Sequence, residues 1–255
     1  MKCIDSNTHT YFRGLEDLEL MSVSGVEGVV LCSRFPVKPT GSSTVYDFFK
    51  WLMEEETARL ASCGIDFRVA VGIHPSFIPK YELDQAIERV LAIFDNDLAN
   101  ALGEVGLETG SEEEVDVLVK QLRIAVEYDK PVIFSTPRRN REPILEKALK
   151  ILRDECPDPS RVVVDHLVPE LIPLVRESGL KIGLTIQPGL LTPADVKSII
   201  EKYGSEGILL NSGLGSEPSD PLAVLRTAKY LDRAGIGGKE IQQVTYYNAR
   251  SLFWF

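Results

Sequence analysis

Histidine is scarce, with only His9, His74 and His166 in 255 residues, and cysteine is nearly so. The four cysteines, Cys3, Cys32, Cys63 and Cys156, lie far apart and form no CxxC pair. That spacing excludes a thiolate metal knuckle and a dithiol redox motif, and leaves buried free thiols as the expected state. No apolar run approaches the roughly 20 residues that an α-helical membrane span needs. The segment MKCIDSNTHT carries one basic residue and no apolar stretch, unlike a secretory signal, so the cytoplasm is the expected compartment. Basic residues are also in deficit. Lys and Arg number 28 against 38 Asp and Glu, a net charge of −10, which argues against broad capture of a phosphate backbone. No GxGxxG turn and no P-loop is present to cradle a nucleotide in an open sheet.

What is there is a regular alternation. Short β-branched or apolar runs recur, each followed by a longer stretch with helical spacing, the pattern of parallel strands joined by crossover helices. Eight such units are expected, with strands at 2–5, 28–33, 67–72, 99–104, 131–135, 161–165, 181–185 and 207–211. Gly25, Gly64 and Gly179 stand just before strands, where a left-handed helix cap is cheapest without a Cβ. Thr192-Pro193 and Ser219-Asp220-Pro221 read as helix starts. Eight units in a chain of this length, with no composition break, predict a single (β/α)8 barrel forming one domain over 1–255.

The reactive residues fall where such a barrel works. Each of the three histidines comes just past the end of an expected strand, at the face where barrel enzymes place their chemistry. Glu104 ends the fourth strand in ANALGEVGLE, where its carboxylate would point inward among apolar neighbours. A buried carboxylate needs a cation, a metal or strong donors. His9, Glu104 and His166 together supply the three-ligand set that catalytic zinc commonly uses. Asp165, next to His166, is expected on the opposite side of its strand and outside the site.

Taken together, IDSNTH, VGIHP, LGEVGLE, KPVIFSTPR, VVVDH, LTIQPGLLTP, LLNSGLG, SDPLAV and NARSLF resemble the TatD-related metal-dependent hydrolases of the amidohydrolase-like barrel group. The resemblance runs over nearly the whole chain. It implies a two-metal hydrolase, with a His-x-His pair after the first strand, a bridging glutamate after the fourth, histidines after the fifth and sixth, and an aspartate after the eighth. Carried onto this chain, it assigns His9, Glu104 and His166 as metal ligands. Three positions depart: Asn7, Ser135 and Gly213 stand where histidine, histidine and aspartate are implied. Asn7 and Ser135 offer only weak neutral oxygens and Gly213 offers no side chain. The resemblance so altered implies one divalent metal at most, zinc or a similar ion held weakly, or none, with hydrolytic activity reduced or absent. Glu108 is close enough in sequence to be considered as a replacement base.

Other residues bear on the ligand. His74 in GIHP is implied by the resemblance to line the substrate side. Arg138, Arg139 and Arg141 follow the fifth strand in STPRRNR, where one guanidinium is expected to hold a phosphate or carboxylate. Residues 112–114, all glutamate, read as a solvated first helical turn. TVYDFFKWLM reads as a packing face, and Asn248 as a structural hydrogen-bonding residue. Three functions follow in order of expectation. The first is a metal-depleted member binding a small anionic or phosphorylated ligand or a protein partner. The second is a single-metal hydrolase of a phosphoester or related bond using His9, Glu104 and His166. The third is a metal-free enzyme holding a phosphorylated metabolite by those arginines or by the loops after the seventh and eighth strands, around Gly189 and 213–215.

Overall fold

The computed structural model describes residues 2–253. Its eight strands are β1 (Cys3–Thr8), β2 (Val26–Cys32), β3 (Asp66–Val71), β4 (Ala101–Gly106), β5 (Val132–Ser135), β6 (Val162–Asp165), β7 (Lys181–Thr185) and β8 (Ile208–Asn211). They form one parallel sheet in sequential order. The first and last strands meet through the Thr8–Leu214 bridge, through His9 N–H donating to Leu214 O at 2.6 Å and through Ser6 Oγ donating to Leu210 O at 3.0 Å. The fold is the (β/α)8 barrel that the alternation predicts.

Helices α1 (Leu15–Ser24), α2 (Ser42–Trp51), α3 (Thr57–Ser62), α4 (Leu83–Asp95), α5 (Glu112–Glu127), α6 (Arg141–Glu155), α7 (Ile172–Glu177), α8 (Pro193–Tyr203), α9 (Ala223–Arg233), α10 (Gly238–Gln242) and α11 (Asn248–Phe253) surround it. A π turn at Leu52–Glu56 joins α2 to α3. Gly25 ends α1 at φ 107°, in the left-handed region that its missing Cβ makes accessible. Thr192 and Asp195 form a reciprocal capping box at the start of α8, with Pro193 in the first turn. The second expected start lies two residues early. Asp220 instead accepts the Leu222 N–H, closing a turn before α9.

Strand alternation sorts the core into two layers. Val29, Leu31, Val69, Val71, Phe134, Val164 and Leu184 face the helices, while Ile4, Val30, Ala70, Ala101, Ile133, Val163 and Leu209 fill the lower barrel. Ala249, Leu252 and Phe253 of α11 pack against this inner set. Asn248 Nδ2 anchors α11 by donating to Ser205 O and Ile208 O, a structural role as the sequence predicts. Phe49 of the aromatic segment is buried, and Phe48 packs beside Phe35 at 4.7 Å.

Candidate functional site

Above the apolar layer lies a ring of buried polar side chains: Asn7, Glu104, Ser135, Asp165, Thr185 and Asn211. Two breaks in strand pairing place members of this ring. Ala101 points inward and Val105 outward, and the β4–β5 register shifts between Leu102 and Val105, which turns Glu104 into the barrel. The β1–β2 register shifts between Asp5 and Thr8 and accommodates an inward Asn7 three residues after inward Ile4.

Asp165 corrects the sequence reading. By alternation with Val163 it faces inward, and its carboxylate accepts from Asn7 Nδ2 at 2.8 Å and from Asn211 Nδ2 at 3.2 Å. His166 reaches the same space because its backbone turns left-handed, φ 60°, so two consecutive residues enter the cavity. Gly183 on β7 makes the room: an ideal Cβ there would fall 1.4 Å from Asp165 Oδ1.

Glu104 is the hub. Its Oε1 accepts from Asn7 Nδ2 at 2.8 Å and from His166 Nε2 at 2.8 Å, and His166 Nδ1 lies 2.7 Å from Thr185 Oγ1. Burial opposes charge on both groups, yet the His166 hydrogen bond and charge hold Glu104 well below the usual carboxylate range, and Glu104 raises His166 above 6.5. Both shifts favour the imidazolium–carboxylate form of the pair. His9 differs. Its Nδ1 lies 2.9 Å from Cys32 O, an acceptor only, and burial lowers its pKa. The neutral ring donates there and keeps an unprotonated Nε2, which lies 3.7 Å from Glu104 Oε2, beyond hydrogen-bond distance.

A cavity of about 350 Å³ opens above this floor. Arg34, His74, Phe77, Glu108, Ser135, Arg138, Arg141, Gln187, Pro188, Gly189, Leu190 and Glu217 are in its wall with Glu104 and His166. His74 Nδ1 accepts the Ser76 N–H at 3.1 Å, which leaves its proton on Nε2. Burial, with Arg34 and Arg138 nearby, pushes its pKa down to about 4, so it is a neutral donor. Of the three arginines after β5, Arg138 and Arg141 line the cavity and Arg139 does not. Gly189 belongs to the wall, whereas Gly213 and Gly215 do not; a Cβ on Gly213, at φ 54°, would press on Thr185 at 2.8 Å. Glu108 also lines the wall.

Sequence reasoning missed Arg34 and misread Glu114. Arg34 follows β2 and is fixed by its backbone: its N–H donates to Tyr11 Oη at 2.7 Å, and its carbonyl accepts from that hydroxyl at 2.9 Å. A lone arginine in CSRF carries no local signal. Glu114 is 8 % exposed, and its carboxylate accepts the N–H groups of Glu108, Thr109 and Gly110, each at 2.9 Å. It staples the loop after β4 and is not a solvated residue; the Thr109-Gly110-Ser111 turn before the helix was the available signal.

Asn7 directs its NH₂ group, which has no lone pair to give to a cation, at both carboxylates. Its Oδ1 is buried without a partner, as is Asn211 Oδ1. Among the described residues no three His, Cys, Asp or Glu side chains are arranged to hold a metal ion.

The family model for TatD-related DNase matches residues 4–254. An uncharacterized metal-dependent hydrolase of Methanocaldococcus jannaschii is 34% identical over 251 residues, covering 98% of this chain and 99% of the relative. The crystal structure of a TatD-like protein from Archaeoglobus fulgidus superposes with a TM-score of 0.83 at 30% identity, covering 99% of this chain and all of that one. At 13% identity, the phosphotriesterase homology protein of Escherichia coli, complexed with phosphate in its active site, shares the fold with a TM-score of 0.77, covering 99% and 98% of the two chains. The barrel, its site at the strand ends and these matches agree: the chain belongs to the TatD-related DNase family.

Proposed function

We propose that this family member has given up two-metal hydrolysis and uses the barrel mouth as a metal-independent site for a small anionic ligand. One observation carries the reading: the Asn7 amide bridges Glu104 and Asp165, and His166 pairs with Glu104, so hydrogen-bond donors of the chain itself occupy the two carboxylates. Asn7, Ser135 and Gly213 are the substitutions that leave the metal shells incomplete. The wall above supplies cationic and neutral donors for an anion from Arg34, Arg138, Arg141 and His74. Such a protein shows no turnover of an activated phosphodiester, bis-p-nitrophenyl phosphate, with or without added Mg²⁺ or Mn²⁺. Turnover that depends on the added ion and is abolished by Glu104→Ala overturns the reading.

A second reading, a hydrolase using one divalent ion, is favoured by His9. Its ring is oriented by the Cys32 carbonyl, as metal-binding histidines commonly are by an acceptor on the other nitrogen, and its free Nε2 faces the unshared Oε2 of Glu104. One tightly held ion per chain that disappears in His9→Ala supports this alternative.

A further inference from the structure

The arginines of this protein are mostly occupied. Arg13, Arg59, Arg123 and Arg226 pair with carboxylates, and Arg89, Arg176 and Arg250 lie over tyrosine rings. Arg34, Arg138 and Arg141 have neither kind of partner among the described residues, although Glu108 and Glu217 line the same wall. The three come from segments after different strands, Arg34 after β2, Arg138 in the loop after β5 and Arg141 at the start of α6, and line one cavity. Glu104, the carboxylate below, is already neutralised by His166. The wall thus offers three planar cations with no carboxylate or ring partner among the described residues, of which Arg141 Nε donates to Arg138 O at 3.4 Å, and the neutral Nε2–H of His74, with Phe77, Pro188, Leu190 and Pro218 as apolar surface beside them.

We propose that Arg34, Arg138 and Arg141 form a guanidinium site for a phosphate monoester with a compact apolar body, taking the place of divalent metal as the source of positive charge. The inference rests on the metal-independent reading above and adds the ligand class and the residue, Arg34, that selects it. A single carboxylate has two oxygens and is satisfied by one arginine fork, whereas a phosphoryl dianion has three terminal oxygens for several forks and the histidine N–H. A volume of about 350 Å³ suits a small-molecule ester. The remaining ester oxygen leads the organic group toward Phe77 and Leu190.

Calorimetric titrations test this on the full chain, with inorganic phosphate, phenyl phosphate and succinate as probes, each with EDTA and with Mn²⁺. Phenyl phosphate binds more tightly than phosphate in EDTA, and succinate more weakly than either. Arg34→Gln and Arg138→Gln each weaken phenyl phosphate at least tenfold at an unchanged melting temperature, and Arg139→Gln leaves it unchanged. No binding of either phosphate under both conditions overturns the guanidinium site alone, as does binding indifferent to Arg34→Gln and Arg138→Gln, or a preference for succinate. Binding seen only with Mn²⁺ overturns instead the metal-independent reading on which the site rests.

Discussion

The floor and the rim of the barrel mouth treat charge in opposite ways. On the floor, Glu104 and Asp165 are buried and each finds donors inside the chain, from Asn7, His166 and Asn211. On the rim, Arg34, Arg138 and Arg141 line the cavity with no carboxylate partner among the described residues. A buried unpaired charge is expensive, so carboxylates at this depth need donors of the chain or a cation beside them. The solvated rim has no such constraint and keeps its cations for something that arrives. The difference teaches where to seek function in this chain: in the groups left unpaired at the surface of the cavity, not in the most buried ones.

The contrast predicts effects of very different size. Glu104→Ala strips the partner from the His166 imidazolium and from the Asn7 amide, and should cost about 3–5 kcal/mol of stability, as breaking a buried pair does; urea unfolding reads it. A loss below about 1 kcal/mol would mean the floor is not held together as described. Gly183→Ala comes next. Its new methyl claims the position of Asp165 Oδ1, forcing that carboxylate out from between Asn7 and Asn211, at a cost of about 3 kcal/mol. Wild-type stability in the same assay would show that Asp165 is free to sit elsewhere.

On β1, burial pushes Asp5 up to about 7 from 3.8, against hydrogen bonds from Ser212. The folded state then holds a proton that the unfolded state has already lost between about pH 4 and 7. Stability contributed by that proton is present below this window and falls as pH rises through it. Asp5→Asn should flatten that decline in melts taken from pH 4 to 8, and an unchanged slope would assign it to other groups. The smallest effect belongs to the rim: Arg138→Gln should change stability by less than about 0.5 kcal/mol, because an exposed unpaired arginine contributes little to folding. A larger loss would remove the distinction between the two layers.

The fold was legible because strands that are buried on both faces write continuous apolar runs, and β-branched runs such as VVV before Asp165 locate them within a few residues. Glu104 and His166 were placed at the barrel mouth for a related reason: each interrupts or closely follows such a run with a group that has to be satisfied. Asp165 was not, because strict alternation cannot place two successive residues in one cavity. The left-handed turn at His166 does that, and nothing in the letters DH announces it. Asn7 reads in the sequence as a lost ligand, whereas its structural meaning is positive, a donor shared by two carboxylates more than 90 positions away along the chain. Long-range pairing of that kind, like the convergence of Arg34 with Arg138, depends on barrel closure and has no local signature.

The most direct test of the central claim is the divalent metal content of the native protein, expressed with zinc and manganese in the medium and purified without chelator, measured by elemental analysis per chain. A site balanced by Asn7 and His166 predicts well under one ion per chain. Two tightly held ions per chain would contradict it.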